Sequence, residues 1–554
     1  MMMLSAESPA SSLTVRYSEL LRYARDSRLR LFAIGITILS YSVALGSFSL
    51  SMDGELWAYE PEPWQWLIRG GRWSGALFIY VFPPLYYLPL LPRAIFCGGL
   101  VISALLLAGC YARSRAEAFA FVAFFVSCPT WPHIAEFNAY VWVFAVGLCL
   151  AAGSIALLHL GGYRSAIIAA VATTVATGIY QSLLLLVICG SLLSASVRLF
   201  DAYRSDPPSL KGILDHLAPL ATSWSVAMLL YVGATGLILS LRHQSLWYVD
   251  SYIRLTEFTS AATSSVAIGR TIRRLIGLFT GTDPTFLRWR WGIVSLLPAC
   301  LGAFAAIIGT LQTSVERLRI KLLAAILVLG AALSAAAPVI VSAGIVPIRS
   351  LVALPVLYAL GAASTVKHKW FGKAPQCVLF SCSVFINVWI SATLFNADTI
   401  ARDRDRIMAG QLAERIAALP GVQRDQPRQL ILVGQWTHNI GGPAVRVEAF
   451  GGSFFEFDGG NPWRVERYLR LLGIEGLRGA LITHARDDMA EIESLPSWPA
   501  IGSVAVVRDK LVIKLGPLTE PQRAVLVGIP PEWRAFCRGV PRCEYDNRLQ
   551  SGQR

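Results

Sequence analysis

The chain has 554 residues, 55% of them hydrophobic and only 15% charged, with a mean hydropathy of +0.53. So few charges cannot cover the surface of a soluble particle of 60.4 kDa. The net charge of +14 is scattered over short loops and forms no single face, which argues against a nucleic-acid partner.

The apolar residues come in blocks, and a bilayer crossing needs roughly 20 residues in a helix. Backbone polar groups in lipid must be satisfied within the segment, so each block predicts a helix. In chain order the expected spans are Leu31–Leu50, Ala94–Cys110, Ala116–Trp131, Asn138–His159, Ser165–Ile179, Leu183–Val197, Leu217–Ser240, Gly292–Gly309, Leu322–Ala343, Leu351–Thr365 and Cys377–Phe395. The segment Trp73–Leu91 is also apolar, but Pro83, Pro84, Pro89 and Pro92 interrupt it, and it reads as re-entrant or interfacial. A full crossing there would make twelve spans and reverse every later loop.

Charge decides between the counts, because cytoplasmic loops carry the Lys and Arg excess. With eleven spans the inner loops hold Arg16 to Arg30, Arg113 and Arg115, Arg164, Arg198 to Lys211, Arg317 to Lys321, and Lys367 to Lys373. Every inner loop is then basic, the N-terminus is cytoplasmic and the C-terminus lies outside. Residues 1–30 read as a cytoplasmic segment before a signal-anchor, since the apolar core that follows is too long for a cleavable signal. The expected architecture is a polytopic α-helical membrane domain over 31–395, with about eleven transmembrane helices and a small α/β domain over 396–554.

Two outer loops are large, 51–92 and 241–291. The first is rich in Trp, which suits headgroup depth. The second contains Val266–Phe279, whose apolar residues at 266, 268, 272, 275, 276 and 279 predict an amphipathic interfacial helix. It also carries Arg242, Arg254, Arg270, Arg273, Arg274, Arg288 and Arg290, a surface suited to a lipid-linked phosphate or to ordinary anionic lipid. In the last domain Gln429–Gly434, Ala444–Phe450, Ala480–His484, Ser503–Arg508 and Leu511–Leu515 read as strands, and Arg402–Ala418 and Pro462–Leu472 as helices. Cys537 and Cys543 are either a disulfide or two free thiols. No P-loop, dinucleotide fingerprint or zinc pattern occurs, which argues against a nucleotide-powered transporter.

The stretch Ser51-Met52-Asp53-Gly54-Glu55 places two carboxylates just past the first span. A desolvated carboxylate there can take a proton from a hydroxyl, with the second acid orienting it. Loops leaving a membrane also carry acids for solvation, and spacing alone does not separate the two. Next, Arg69-Gly70-Gly71-Arg72-Trp73 lets backbone and guanidinium approach an anion together, although headgroup anchoring accounts for Arg69 as well. Tyr180-Gln181-Ser182 and Arg349 sit where almost no loop is available to hold them in water. The connection Thr130–Glu136 carries His133 and Glu136; for His133 a solvated loop histidine is the ordinary reading.

In their order, the acidic motif after the first span, Gly71-Arg72-Trp73 and Tyr180-Gln181-Ser182 make the chain resemble the Gtr-type bacterial O-antigen glucosyltransferases. That glucosyltransferase II family is placed with the GT-C superfamily, and the resemblance covers most of 31–395. It implies a hexosyltransferase of the bacterial inner membrane whose C-terminal domain is periplasmic. The donor would be a sugar, glucose first, on undecaprenyl phosphate, and the acceptor a lipid-linked glycan such as an O-antigen unit. It further implies Asp53 as base of an inverting displacement, supported by Glu55. Arg72, Arg349 and Arg69 become candidates for the donor phosphate. Tyr180, Gln181, Trp73, His133 and Glu136 become candidates for the sugar or acceptor. Members of the family often show two adjacent acids, whereas Gly54 separates them here. No cofactor is required, although the two acids could hold a divalent cation. A flippase for lipid-linked sugars fits less well, because the spans are nearly free of ionisable groups. The loop 241–291 keeps a polysaccharide polymerase or ligase in view, and a scaffold that binds a partner through its outer domain is the non-enzymatic alternative.

Overall fold

The computed structural model describes residues 18–527 apart from 19, 48, 60–61, 83–84, 86–87, 203–209, 245, 247–252, 261–262, 288, 312–317, 368–371, 421–427 and 439–444. Cys537, Cys543 and Arg288 lie outside the described residues. The chain divides into two compact units. One comprises Met1–Gly46, Trp64–Ala135 and Tyr140–Ala392; the other comprises Ser47–Pro63, Glu136–Ala139 and Thr393–Arg554.

The first unit is helical. Among the described residues, seven helices of the chain are long and apolar enough to cross a membrane: Ser27–Gly46, Leu91–Tyr111, Asn138–Leu160, Ser182–Leu199, Lys211–Leu241, Lys321–Val341 and Lys373–Ala417. Tyr163–Ile179, Arg290–Ala305 and Leu354–Val366 are shorter apolar helices, and Arg115–Ser127 has 13 residues. A helix thus falls on each of the eleven segments expected from hydropathy, and the chain is a polytopic helical membrane protein. Helix Trp73–Val81 has nine residues. It reaches only about 13 Å at 1.5 Å per residue, well short of a roughly 30 Å hydrocarbon core.

The helices pack as membrane helices do, through small residues and polar repair. Trp289–Leu311 lies so close to Leu354–Lys367 that a Cβ at Gly302 would collide with the carbonyl of Gly361. Pro298 has no N–H to offer Val294, and Ser383 Oγ donates to that orphaned carbonyl instead, at 2.7 Å. Faces without a helical neighbour are apolar: Leu229, Val232, Leu237 and Leu241 are all more than half exposed on one helix, as a lipid-facing surface requires. Helix Ser264–Thr280 turns Val266, Ile268, Ile272, Ile276 and Phe279 outward and buries Ala267, Thr271 and Leu278, the amphipathic pattern read from the sequence.

The second unit holds a four-stranded sheet in the order β2-β1-β4-β3, with β1 Arg428–Val433, β2 Leu477–Ala480, β3 Val504–Val507 and β4 Lys510–Lys514. β1 is parallel to β2 and β4, and β3 returns antiparallel to β4 through a tight turn with Arg508 at φ 54°. β1 is central, so both its faces must be covered. Leu430 and Leu432 face a core with Met408, Leu412, Phe454, Tyr468 and Leu469, while Ile431 and Val433 face another with Ile492 and Val525.

Three expectations change here. The span Cys377–Phe395 and the helix Arg402–Ala418 are one 45-residue helix, Lys373–Ala417, because no Gly or Pro stands between Pro375 and Gly410 and Asp398 bridges the join to Arg402 at 3.5 Å. Ala444–Phe450 is no strand where it is described; Val447 and Phe450 close a turn. The strand expected at Ala480–His484 lies earlier, at Leu477–Ala480, and Ile482–Asp488 is a 3-10 helix.

Candidate active site

Two sets of predicted residues gather, one in each unit. In the second unit the short helix Gly54–Tyr59 starts directly after Asp53, whose φ of 70° lies in the left-handed region. Aspartate visits that region more readily than most residues, at about 1–2 kcal/mol. The Asp53 carbonyl accepts from Leu56 N at 3.1 Å and Trp57 N at 3.0 Å. Its carboxylate does not take the usual capping role. Oδ1 accepts from Arg464 Nη2 at 2.6 Å, the side chain is 34% exposed, and Oδ2 has no hydrogen-bond partner among the described residues. On the other side of the loop Met52 N donates to Glu136 Oε1 at 2.7 Å, so Glu136 fastens the segment that carries the acids.

Glu55 is fully buried. Its Oε1 accepts from Arg464 Nη1, and Oε2 has no partner among the described residues. Burial pushes its pKa up to about 7; Arg464 pulls it down and the Asp53 charge pushes it up, each by less. Asp458 completes the group, accepting from Arg464 Nε at 2.5 Å. Burial alone would lower the Arg464 pKa, but the three carboxylates outweigh it and keep the guanidinium charged. Of the three acids around this cation Glu55 is the most buried, and burial moves its titration from the usual carboxylate range to near neutrality.

The raised value fixes a sign. The folded state holds the Glu55 proton more tightly than the unfolded chain. Its contribution to stability is therefore complete below the ordinary pKa of 4.5 and lost as pH rises to about 7. The shift corresponds to about 3 kcal/mol. Unfolding of the detergent-solubilised wild type and Glu55→Gln, compared from acid to alkaline pH, should show the wild type losing that amount relative to the variant across this window. Parallel curves would contradict it.

The first unit gathers the second set. Gly71 has φ +70°, and a Cβ there would meet the Tyr231 hydroxyl at 2.7 Å and Gln181 Nε2 at 3.0 Å, so only glycine fits. Gln181 Nε2 donates to Gly70 O at 2.5 Å and the Tyr231 hydroxyl to Gly71 O at 3.2 Å. The first bond ties the glycine turn to the junction between Tyr163–Ile179 and Ser182–Ala202, and the second ties it to helix Leu210–Leu241. The Arg72 guanidinium stacks 4.7 Å from the Tyr180 ring and 5.9 Å from the Tyr140 ring. Trp73 opens helix Trp73–Val81 and packs on Gly178. Arg69 ends helix Trp64–Arg69 and makes no hydrogen bond or ion pair among the described residues.

His133 is not a solvated loop histidine: it is buried, on the short helix Pro132–Ala135 that packs against the turn Ile348–Ser350 bearing Arg349. Burial, then Arg349 and Arg274, lower its pKa to about 3, so it is a neutral imidazole. The Arg-rich loop is also partly neutralised. Arg254 and Arg270 pair with Glu257 at 3.0 and 2.6 Å, and Arg274 with Asp283 at 2.7 Å.

Sequence reading missed Arg464 and Asp458. A signal was present: Asn461-Pro462 marks a helix start, and Arg464 then falls on the same face as Val465, Tyr468 and Leu469. A cation on the apolar face of an amphipathic helix demands a buried counter-charge. Among the described residues no group of three or more His, Cys, Asp or Glu side chains is arranged to hold a metal ion.

No curated protein and no solved structure matches the chain significantly. The family model described as glucosyl transferase GtrII matches residues 43–365, more than half of the chain, and includes Asp53, Glu55, the Gly70-Gly71-Arg72 turn and Tyr180-Gln181. With its membrane-spanning helices and this match, the chain belongs to the glucosyl transferase GtrII family.

Proposed function

We propose that the protein moves a sugar, glucose first, from a polyprenyl-phosphate donor to a hydroxyl of a lipid-linked glycan such as O-antigen. The reaction takes place at the periplasmic face of a bacterial inner membrane, with inversion. Eleven spans, a cytoplasmic N-terminus and a periplasmic C-terminal domain follow from the basic loops assigned to the inside. Such a donor carries its own free energy, so no nucleotide is needed outside the cytoplasm.

The observation that carries the reading is the state of Asp53. One carboxylate oxygen is anchored on Arg464 and the other is open on a partly exposed side chain. This is what a general base needs: a fixed orientation and a vacant acceptor. The open oxygen takes the proton of the acceptor hydroxyl while that oxygen forms its bond to the anomeric carbon. The bond from the anomeric carbon to the phosphate oxygen breaks, and the electron pair leaves with the polyprenyl phosphate. Arg72 and Arg349 are assigned to the phosphate, with Arg69 a weaker third. Tyr180, Gln181 and Trp73 are assigned to the sugar. His133, being neutral, serves as a hydrogen-bonding group only, and Glu136 acts through the loop it fastens. Arg464 bridges Asp53 and Glu55, which supports a reaction that runs without a divalent cation between them.

The test is transfer of labelled glucose from synthetic polyprenyl-phosphate glucose to host glycolipid by membranes carrying the protein, with and without EDTA. Transfer unaffected by EDTA is expected. Loss in EDTA, restored by Mg²⁺, would assign the acids to a metal. No transfer from any polyprenyl-phosphate sugar would turn the reading toward a lipid-sugar flippase.

A further inference from the structure

We propose that Arg464 is the positioning residue for the acid pair: its guanidinium fixes Asp53 and Glu55 in the arrangement the transfer reaction needs. The inference rests on the reading of Asp53 as the base. It goes beyond the family match, which ends at residue 365 and contains neither Arg464 nor Asp458.

The guanidinium is a rigid planar fork, and here each nitrogen serves a different carboxylate. Nη2 meets Asp53 at 2.6 Å, Nε meets Asp458 at 2.5 Å, and Nη1 meets Glu55. Three bonds to one plane set where the carboxylates stand relative to one another. The fork itself is held firmly. Asn461 caps its helix by accepting from Trp463 N and Arg464 N, Pro462 fixes the first turn, and Val465, Tyr468 and Leu469 anchor the helix in the core. Arg464 is 5% exposed.

Two further observations point the same way. Asp53 and Asp458 both hold left-handed φ, 70° and 54°, and both converge on this one side chain. Such strain gathers where geometry matters for function. In addition, a buried ion cluster adds little stability over apolar packing of the same volume, so its use here lies in the geometry it imposes. Other charges near the acids are placed differently. Arg467 Nη1 donates to the Leu56 carbonyl at 3.4 Å, Arg470 stacks on Tyr59 at 4.3 Å, and Glu136 accepts from Met52 N.

The experiment measures transfer kinetics against pH for full-length wild type, Arg464→Gln, Arg464→Lys and Asp53→Asn, each checked for folded yield in detergent. A misplacement of about 1 Å costs on the order of 100-fold. Arg464→Gln is therefore expected to lose about that much in kcat with KM for the donor lipid unchanged. Its pH profile should move upward, because the charge that favours ionised Glu55 is gone. Arg464→Lys should recover part of the rate, since one ammonium replaces the charge but cannot reproduce the fork. A folded Arg464→Gln with wild-type kcat and profile overturns the proposal. Should that variant fail to fold, Arg464→Lys decides: a wild-type rate and profile overturn the proposal, and a reduced kcat at constant KM supports it. Asp53→Asn transferring at the wild-type rate overturns the base assignment, and this inference with it. Loss in Asp53→Asn alone, with Arg464→Gln fully active, overturns only the role of Arg464.

Discussion

Asp53→Asn is expected to lower sugar transfer by roughly 10²–10⁴-fold, the range a general base supplies. The substitution keeps the shape of the side chain and leaves an amide oxygen to accept from Arg464 Nη2, so the cluster stays closed. Only the basic second oxygen is lost. A second, independent readout follows from the charge. The Asp53 carboxylate helps to raise the Glu55 pKa, so removing it should bring Glu55 below its value of about 7. The window in which Glu55 weakens the fold then narrows from its alkaline side. Activity within a factor of a few of wild type, in a folded variant, would remove Asp53 from the chemistry.

The second large effect concerns stability. Asp405 is completely buried and accepts from four donors: Arg402 Nη1 at 2.6 Å, Ser453 Oγ at 2.5 Å, His438 Nε2 at 2.8 Å and Phe454 N at 3.1 Å. Trp436 Nε1 donates to His438 Nδ1 at 3.3 Å, which assigns the histidine proton to Nε2. Asp405→Ala strands these donors around a buried guanidinium whose other ion pair, to Asp398, is longer at 3.5 Å. Breaking a buried pair from one side costs about 3–5 kcal/mol. For a unit of this size that is a fall on the order of 10 °C in the unfolding transition. Thermal unfolding of the full-length protein, followed by tryptophan fluorescence and by protease sensitivity beyond residue 393, measures it. The contrast is Asp403→Ala, whose partner Arg406 lies at 3.4 Å with both side chains more than 60% exposed, and which should leave the transition in place. Equal transitions for the two variants would show that the Asp405 network is not what holds this unit together.

The two sites differ in how far the sequence reveals them. Arg72, Tyr180 and Gln181 are legible because they interrupt apolar blocks, and a polar group at such a place must find a partner. Their pairing is not legible, since nothing in the order of residues says that Gln181 will reach the Gly70 carbonyl. Asp53 and Glu55 are legible as acids after a span, whereas their partner stands 411 and 409 residues further on. Local pattern marks Arg464 only as a cation on an apolar helix face. The same holds for Asp398, Arg402 and Asp405, which share a stripe with Met408 and Leu412 and look like surface charge until the helix is seen to run unbroken from Lys373.

What the sequence by itself determined is the membrane class, the eleven helical segments and most strands of the small sheet, with two acids marked just past the first of those segments. Each follows from local rules: apolar length, period-2 alternation, proline and glycine punctuation. Only the tertiary structure decided that His133 is buried and neutral, that Arg254, Arg270 and Arg274 of the loop 241–291 are paired with acids, and that one guanidinium gathers Asp53, Glu55 and Asp458. The reason is physical. Burial and ion pairing depend on which distant segments share a low-dielectric space, and a linear pattern encodes the need for a partner without encoding which partner meets it.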